Sequence, residues 1–145
     1  MSAPPLVLLV EDDPDVRMVL EFFFEQRGYR LSTANDFAIG AEILSDIHPD
    51  LLVSDVMLRG GTGKGLAQLA RAMKIPVLLM SGSPEAERLL EGDPTPFLAK
   101  PFRLVDFERE IDNLLYPRRD SGSASVPTGS GPGTRPWPKY VRRNG

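Results

Sequence analysis

The sequence LVLLVEDDPDVR, residues 6–17, contains one complete strand-to-helix unit. Its first part, Leu6 to Val10, is aliphatic on both alternating faces, which is typical of a strand covered on both sides in a parallel sheet. Asp13 is then a suitable N-cap, and Pro14 fits the first position of a helix. The segment therefore predicts a buried strand, an acidic turn and an amphipathic helix, in that order.

The same alternation of short apolar runs and helical patterns continues along the chain. Strands separated by single helices indicate βαβ units and a parallel sheet, and right-handed crossovers restrict its strand order. Five strands and five helices in about 115 residues fit an α/β fold of the flavodoxin-like (βα)5 type, a doubly wound parallel sheet with strand order 2-1-3-4-5. The further strands are predicted at Arg30–Ala34, Leu51–Ser54, Val77–Met80 and Phe97–Ala99, and the further helices between Asp36 and Pro49 and at Gly65–Met73, Pro84–Leu90 and Leu104–Leu115.

Length and composition exclude several classes of protein. The chain has 145 residues and a mass of 16.0 kDa, which fits one domain of ordinary size. It has no cysteine, so disulfides and thiolate chemistry are excluded, and its single histidine, His48, cannot build a multi-histidine metal site. The longest aliphatic run has five residues, whereas a membrane-spanning helix needs about twenty. Because the N-terminal MSAPP also lacks the pattern of a signal peptide, we expect a cytoplasmic protein without a membrane partner.

The charge is distributed unevenly between two parts of the chain. Residues 1–117 have a net charge of −8, whereas residues 118–145 carry six basic side chains and one acidic one. Fifteen of these last 28 residues are Gly, Pro, Ser or Thr, so we expect a flexible basic tail that follows a folded domain at 1–117. An acidic domain disfavours nucleic acid, and we expect no DNA-binding domain in the 28 residues that follow it. Its segment WPKYVRR could still dock on an acidic partner or on nucleic acid, although a solvated tail is the favoured interpretation.

Chemically useful side chains follow four of the five predicted strands. The first strand is followed by Glu11 and Asp12, the third by Asp55, the fourth by Ser81 and the fifth by Lys100. The carboxyl ends of parallel strands meet at one edge of a sheet, which is where such folds bind ligands. Two carboxylates about 4 Å apart repel by roughly 4 kcal/mol at an effective dielectric constant of about 20. Three of them must therefore stay hydrated and apart, take up a proton, pair with Lys100 or hold a cation. Oxygen ligands without His or Cys suit Mg²⁺, which also favours phosphate oxygens.

The chain resembles the receiver domain of two-component response regulators. The matching segments are LVLLVEDDPDVR, PDLLVSDVML, IPVLLMSGS and FLAKPF, in the order of the family, and the resemblance covers roughly residues 5 to 116. It implies that Asp55 is the phosphoacceptor and that Mg²⁺ binds to Glu11, Asp12, Asp55 and the backbone carbonyl of Met57.

The resemblance also implies roles for residues near the end of the domain. Ser81 would hydrogen-bond the phosphoryl group, and Lys100, which precedes a cis-proline at Pro101, would contact the same group. Phe97 occupies an aromatic switch position, although an aromatic residue beside a sheet is also an ordinary core residue. The phosphodonor would be a phosphohistidine of a histidine kinase or a histidine phosphotransfer protein, and the output a contact with a protein target that the sequence does not identify.

Three other interpretations of the sequence compete with this one. The segment GGTGKG departs from the phosphate-binding loop GxxxxGK[ST], because Gly65 follows Lys64, and we expect a flexible turn there. An Mg²⁺-dependent aspartyl phosphatase would need a second acid two residues after the nucleophile, where Met57 stands, so we expect no enzyme acting on other substrates. A receiver-like adaptor that is not phosphorylated remains an alternative.

The sequence departs from the family pattern at two places. Arg59 stands where many members of the family have proline, and the stretch from Asp55 to Lys100 is shorter than usual. The sequence therefore makes no prediction about the fourth helix as an interaction surface or about dimerisation.

Overall fold

The computed structural model describes residues 3–117, which form a parallel sheet with helices on both faces. Five strands make up this sheet in the order β2-β1-β3-β6-β7, which is the predicted order once the strands of a separate two-stranded ribbon, β4 and β5, are set aside. The elements, in chain order, are β1 (Leu6–Val10), α1 (Pro14–Gln26), β2 (Arg30–Ala34), α2 (Phe37–Ile47), β3 (Leu51–Asp55), β4 (Met57–Leu58), β5 (Gly61–Thr62), α3 (Gly63–Ala72), β6 (Val77–Ser81), α4 (Pro84–Leu89), β7 (Phe97–Ala99) and α5 (Leu104–Leu115).

The central strands are buried on both faces, as their unbroken aliphatic sequences predict. Alternate residues of each strand enter two separate apolar clusters. Leu8 and Leu52 face the cluster that contains residues of α2 and α3, whereas Val7 and Val53 face the cluster that contains residues of α1 and α5. The prediction of a flavodoxin-like doubly wound α/β fold is therefore confirmed.

The start of α1 confirms the cap predicted at Asp13, and α2 begins with a cap of the same kind at Asp36. The side chain of Asp13 accepts a hydrogen bond of 2.9 Å from the backbone N–H of Asp15, and Asp36 accepts one of 2.8 Å from Ile39. In α3, Ala67 is fully buried while Leu69 is 46% exposed. No helix among residues 3–117 is long and apolar enough to cross a membrane. The predicted tail, residues 118–145, lies outside the described residues.

The expectation of a flexible turn at GGTGKG was wrong. Gly61 and Thr62 instead pair antiparallel with Leu58 and Met57 as the ribbon of β4 and β5, and α3 begins at Gly63, two residues earlier than predicted. The ribbon packs against the Phe37 ring so closely that a Cβ atom at Gly61 would lie 2.6 Å from Cγ of that ring. The segment directly after β3 is therefore held in place by α2.

Candidate functional site

Three carboxylates converge where β1 and β3 end. Glu11 directly follows β1 and is fully buried, Asp12 is half-buried, and Asp55 is the last residue of β3 with 9% of its surface exposed. One oxygen of each lies within 4.8 Å of the others. The parallel register that pairs Val10 with Ser54 places the ends of the two strands side by side, and this explains why the acids meet.

Lys100 provides the positive charge at the centre of this group. It follows β7, and its Nζ atom lies 2.9 Å from Oε1 of Glu11 and 3.2 Å from Oδ2 of Asp55. Burial alone would lower the pKa of Lys100, but the adjacent carboxylates of Asp55 and Glu11 outweigh it and raise the pKa above its usual value. The side chain is therefore a permanent ammonium that bridges two acids from distant parts of the sequence.

The carboxylate of Asp55 differs electrostatically from an ordinary aspartate. Burial raises its pKa, Lys100 lowers it, and the negative charges of Glu11 and Asp12 raise it again, so that the pKa lies at about 6. Its Oδ1 atom accepts a hydrogen bond of 3.0 Å from the backbone N–H of Val56, while Oδ2 faces Lys100. The side chain is thus fixed at both oxygens and remains partly accessible. We call the edge of the sheet that carries Glu11, Asp12, Asp55 and Lys100 the rim.

A residue that the sequence analysis did not single out holds the acidic turn. Nη1 of Arg17 on α1 donates a hydrogen bond of 2.8 Å to the backbone carbonyl of Glu11. The backbone N–H of Asp13 also donates to Oε2 of Glu11 at 3.1 Å. An arginine whose partner is a backbone carbonyl leaves no pattern of residue types, and only its position one turn into α1 could have indicated it.

The remaining predicted site residues lie around this group without joining it directly. Ser81 ends β6 and is buried, and its hydroxyl donates to the carbonyl of Ser83 at 3.2 Å. Phe97 on β7 is 1% exposed and belongs to the apolar cluster on the α2 and α3 side of the sheet. The side chain of Met57 is 47% exposed, and the peptide bond between Lys100 and Pro101 is cis.

The donor set fits a hard divalent cation. Glu11, Asp12 and Asp55 offer carboxylate oxygens alone, which is the chemistry that Mg²⁺ prefers, and a single ammonium faces two of the three. Burial is the largest cause of the raised pKa of Asp55, and the negative charges of Glu11 and Asp12 add to it. The carboxylates of these three residues are therefore the groups that would hold the ion.

Comparison with known proteins identifies the family. The profile of the response regulator receiver domain matches residues 7–112, most of the chain. The chain belongs to the response regulator receiver family. Receiver domains are components of two-component signalling, and the segments that contain Glu11, Asp55, Ser81 and Lys100 all lie inside the matched range.

Relatives of this receiver chain include transcriptional regulators of bacteria. It is 36% identical over 115 residues to the transcriptional activator protein PfeR of Pseudomonas aeruginosa, covering 77% of this chain and 38% of PfeR. It is 33% identical over 116 residues to the phosphate regulon transcriptional regulatory protein PhoB of Escherichia coli, covering 75% of this chain and 51% of PhoB. The chain thus spans about half or less of the length of these curated relatives.

Solved structures support the receiver fold independently. The non-phosphorylated HemR receiver domain from Leptospira biflexa superposes with a TM-score of 0.66 at 28% identity, covering 81% of this chain and 99% of that one. Because nearly the whole HemR domain is matched, the same arrangement of sheet and helices is shared over the complete receiver unit.

Proposed function

We propose that this receiver accepts a phosphoryl group on Asp55 from a phosphohistidine of a histidine kinase or a histidine phosphotransfer protein. The observation that carries this proposal is the Asp55 carboxylate itself, partly accessible and clamped between the ammonium of Lys100 and the acids Glu11 and Asp12. The pKa of Asp55, about 6, leaves this carboxylate mostly ionised, and hence nucleophilic, at neutral pH.

The proposed transfer requires little covalent work from the rest of the chain. An oxygen of Asp55 forms a bond to phosphorus while the phosphorus–nitrogen bond of the donor breaks, and the electron pair of that bond returns to the imidazole. Lys100 is placed to neutralise charge on the incoming phosphoryl oxygens, because its Nζ atom already contacts Oδ2 of Asp55. Ser81, at the end of the adjacent strand, is proposed to turn its hydroxyl from the Ser83 carbonyl towards the new phosphoryl group. Positioning and charge compensation then account for the rate.

Mg²⁺ is the proposed cofactor, held by Glu11, Asp12 and Asp55 with the backbone carbonyl of Met57. When bound, such a cation neutralises charge on phosphoryl oxygens without accepting or donating protons. The chain's own contribution is to keep three carboxylates within 4.8 Å of one another in the folded state.

The consequence of phosphorylation is proposed to be a change at the protein surface. The new group adds negative charge and strong hydrogen-bond acceptors beside β6 and β7, and Ser81 and Phe97 are the residues proposed to respond. We further propose that residues 1–117 form the receiver, that it works in the cytoplasm, and that it signals by contact with a protein. It then acts on no other substrate, because Met57, two residues after Asp55, has no proton to transfer.

The test is to expose the protein to Mg²⁺ and phosphoramidate, whose phosphorus–nitrogen bond mimics that of phosphohistidine. Intact mass spectrometry should show the addition of one phosphoryl group, which hydroxylamine removes as expected for an acyl phosphate. Asp55→Asn should show no addition, whereas Asp46→Asn, at an exposed position of α2, should behave like the wild type. A wild-type protein that never gains the group would instead favour the adaptor interpretation, and multiple turnovers of the donor per chain would favour a phosphatase.

A further inference from the structure

The peptide bond between Glu11 and Asp12 connects two of the three carboxylates at the rim. Because a peptide unit is planar, the direction of the Glu11 carbonyl fixes the plane in which the Cα atoms on both sides of it lie. The direction of this carbonyl therefore constrains how the side chains of Glu11 and Asp12 are placed relative to each other. That placement matters for a shared ion, because Mg²⁺ demands near-ideal octahedral geometry from its ligands.

Arg17 on α1 holds this carbonyl in place. Its Nη1 atom donates a hydrogen bond of 2.8 Å to the carbonyl oxygen of Glu11. The guanidinium is also bound at its other end, since Nε lies 3.8 Å from Oε2 of Glu21, one turn further along the helix. A planar guanidinium that is bound at two of its nitrogen atoms cannot rotate freely. The position of the Glu11 carbonyl is therefore tied to α1.

The other hydrogen bonds of the acidic turn act on different atoms. The backbone N–H of Glu11 donates to the carbonyl of Ala34 at 3.1 Å, which connects the start of the turn to β2. At the end of the turn, the side chain of Asp13 accepts a hydrogen bond of 2.9 Å from the N–H of Asp15 and caps α1. These bonds hold the two ends of the turn, and the hydrogen bond from Arg17 holds the carbonyl between them.

We propose that Arg17 is a positioning residue for the cation at the rim: by fixing the Glu11 carbonyl, it sets the placement of Glu11 and Asp12 and thereby the affinity for Mg²⁺. This inference rests on the proposed function, because it takes Mg²⁺ as the ion that these carboxylates hold. Groups that orient metal ligands through hydrogen bonds contribute to metal binding, and their substitution typically weakens it by about 10- to 100-fold. Arg17 acts through the backbone of Glu11 and needs no contact with the ion or with the phosphoryl group.

The dissociation constant for Mg²⁺, measured on the full-length protein by an NMR titration of its amide signals, tests this role. Arg17→Met removes the donor and should raise the constant about tenfold. Arg30→Met is the matched control, because Nε of Arg30 also donates to a backbone carbonyl, that of Pro4 at 2.9 Å, but at the start of β2 and thus away from the rim. It should leave the constant unchanged, as should Glu21→Gln, which removes only the ion pair of Arg17.

A second measurement separates positioning from a merely structural contribution. Urea denaturation without Mg²⁺ gives the stability of each variant alone, and the titration is carried out where every variant is folded. Arg17→Gln, whose amide is too short to reach the carbonyl but suits a partly exposed position, should raise the constant equally and serves if Arg17→Met does not fold.

Lowered stability of the Arg17 variants with an unchanged constant for Mg²⁺ would overturn the proposal, and so would an equal rise of the constant in Arg30→Met. The proposed function can be judged separately in the wild type. A wild type that binds Mg²⁺ and is phosphorylated on Asp55, while the Arg17 variants bind Mg²⁺ equally well, overturns this inference alone. A wild type that binds no Mg²⁺ overturns the proposed cofactor together with it.

Discussion

Lys100 is the residue on which the charge balance of the rim depends. Its ammonium contacts Glu11, which is fully buried, and Asp55, which is nearly so, and removing one partner of a buried ion pair leaves uncompensated charge. We expect Lys100→Met to lower the free energy of unfolding, measured by urea denaturation without Mg²⁺, by about 2 kcal/mol, somewhat less than for a fully buried pair. The same substitution at Lys74, which is exposed, should change it little. An unchanged unfolding midpoint for Lys100→Met would show that the two carboxylates do not depend on this ammonium.

Asp93, in the connection between α4 and β7, gives the protein a second electrostatic feature. Burial alone would raise its pKa, but hydrogen bonds from the hydroxyl and the backbone N–H of Thr95, at 2.7 and 2.9 Å, and the charge of Arg71 outweigh burial and lower it. Because the pKa is lower in the folded protein than in the unfolded chain, the carboxylate stabilises the fold above the unfolded value, about 4, and this contribution is lost as the pH falls through the folded pKa.

We therefore expect Asp93→Asn to destabilise the protein by about 1–2 kcal/mol at pH 7. The difference from the wild type should shrink below about pH 4, where the wild-type carboxyl becomes protonated. Urea denaturation at several pH values measures this, with Asp46→Asn on exposed α2 as the control. If the difference in the free energy of unfolding between Asp93→Asn and the wild type stays constant down to the lowest pH, the charge of the carboxylate is not its cause.

The positions of the rim residues could be predicted from sequence because each one follows a strand. Glu11, Asp55 and Lys100 are separated by up to 89 residues, yet the strand pattern and the rule on parallel sheets suffice to bring them to one edge. The contact of Arg17 with a backbone carbonyl could not be predicted, because any residue type supplies that acceptor. The Ser83 carbonyl that receives the Ser81 hydroxyl is hidden from sequence for the same reason.

The ribbon of β4 and β5 is the element that most directly supports the segment after Asp55. The backbone N–H of Gly63 donates a hydrogen bond of 2.7 Å to the carbonyl of Val56, and Gly61 lies against Phe37. A Cβ atom at Gly61 would come within 2.6 Å of the ring, so Gly61→Ala must displace either the ring or the ribbon.

We expect Gly61→Ala to cost about 1–3 kcal/mol of stability, the usual range for an overpacked site, and to slow phosphorylation of Asp55. Chemical denaturation and the rate of mass gain with phosphoramidate measure the two effects. Gly82→Ala is the matched control for stability, because the nearest atom to its added Cβ would lie 3.9 Å away, an ordinary contact. Equal stability of Gly61→Ala and Gly82→Ala would mean that the ribbon and the Phe37 ring can move apart without a loss of stability.

Elements whose apolar residues recur with a regular period could be predicted from the sequence, whereas elements without such a pattern could not. All five strands and five helices of the sheet layers carry a local apolar pattern, and their order followed from general rules on connections. A strand of two residues, such as β4 or β5, is too short to show any period, and its pairing depends on the distant Phe37 ring. The burial of Asp106 and Glu110 on α5 could not be predicted either, because acidic side chains on a helix are usually exposed.

The folded receiver as a whole should gain stability from Mg²⁺. Three carboxylates close enough to share an ion exist only when β1 and β3 are paired, so the ion binds the native state in preference to the unfolded chain. A ligand at one hundred times its Kd then stabilises by about 2.7 kcal/mol. We expect a rise in Tm as Mg²⁺ is titrated, and little or no rise for Asp12→Asn, which keeps the shape of the half-buried side chain. An equal rise in both proteins would place the ion elsewhere.

Assembly of the rim from remote parts of the polypeptide has a practical meaning. No fragment shorter than nearly the entire sheet can place the ammonium after β7 against the carboxylates after β1 and β3. Reactivity towards a phosphodonor should therefore disappear at the same urea concentration as the circular dichroism signal of the helices. In this protein, the rate at which Asp55 is phosphorylated would therefore measure the fraction of molecules that are fully folded.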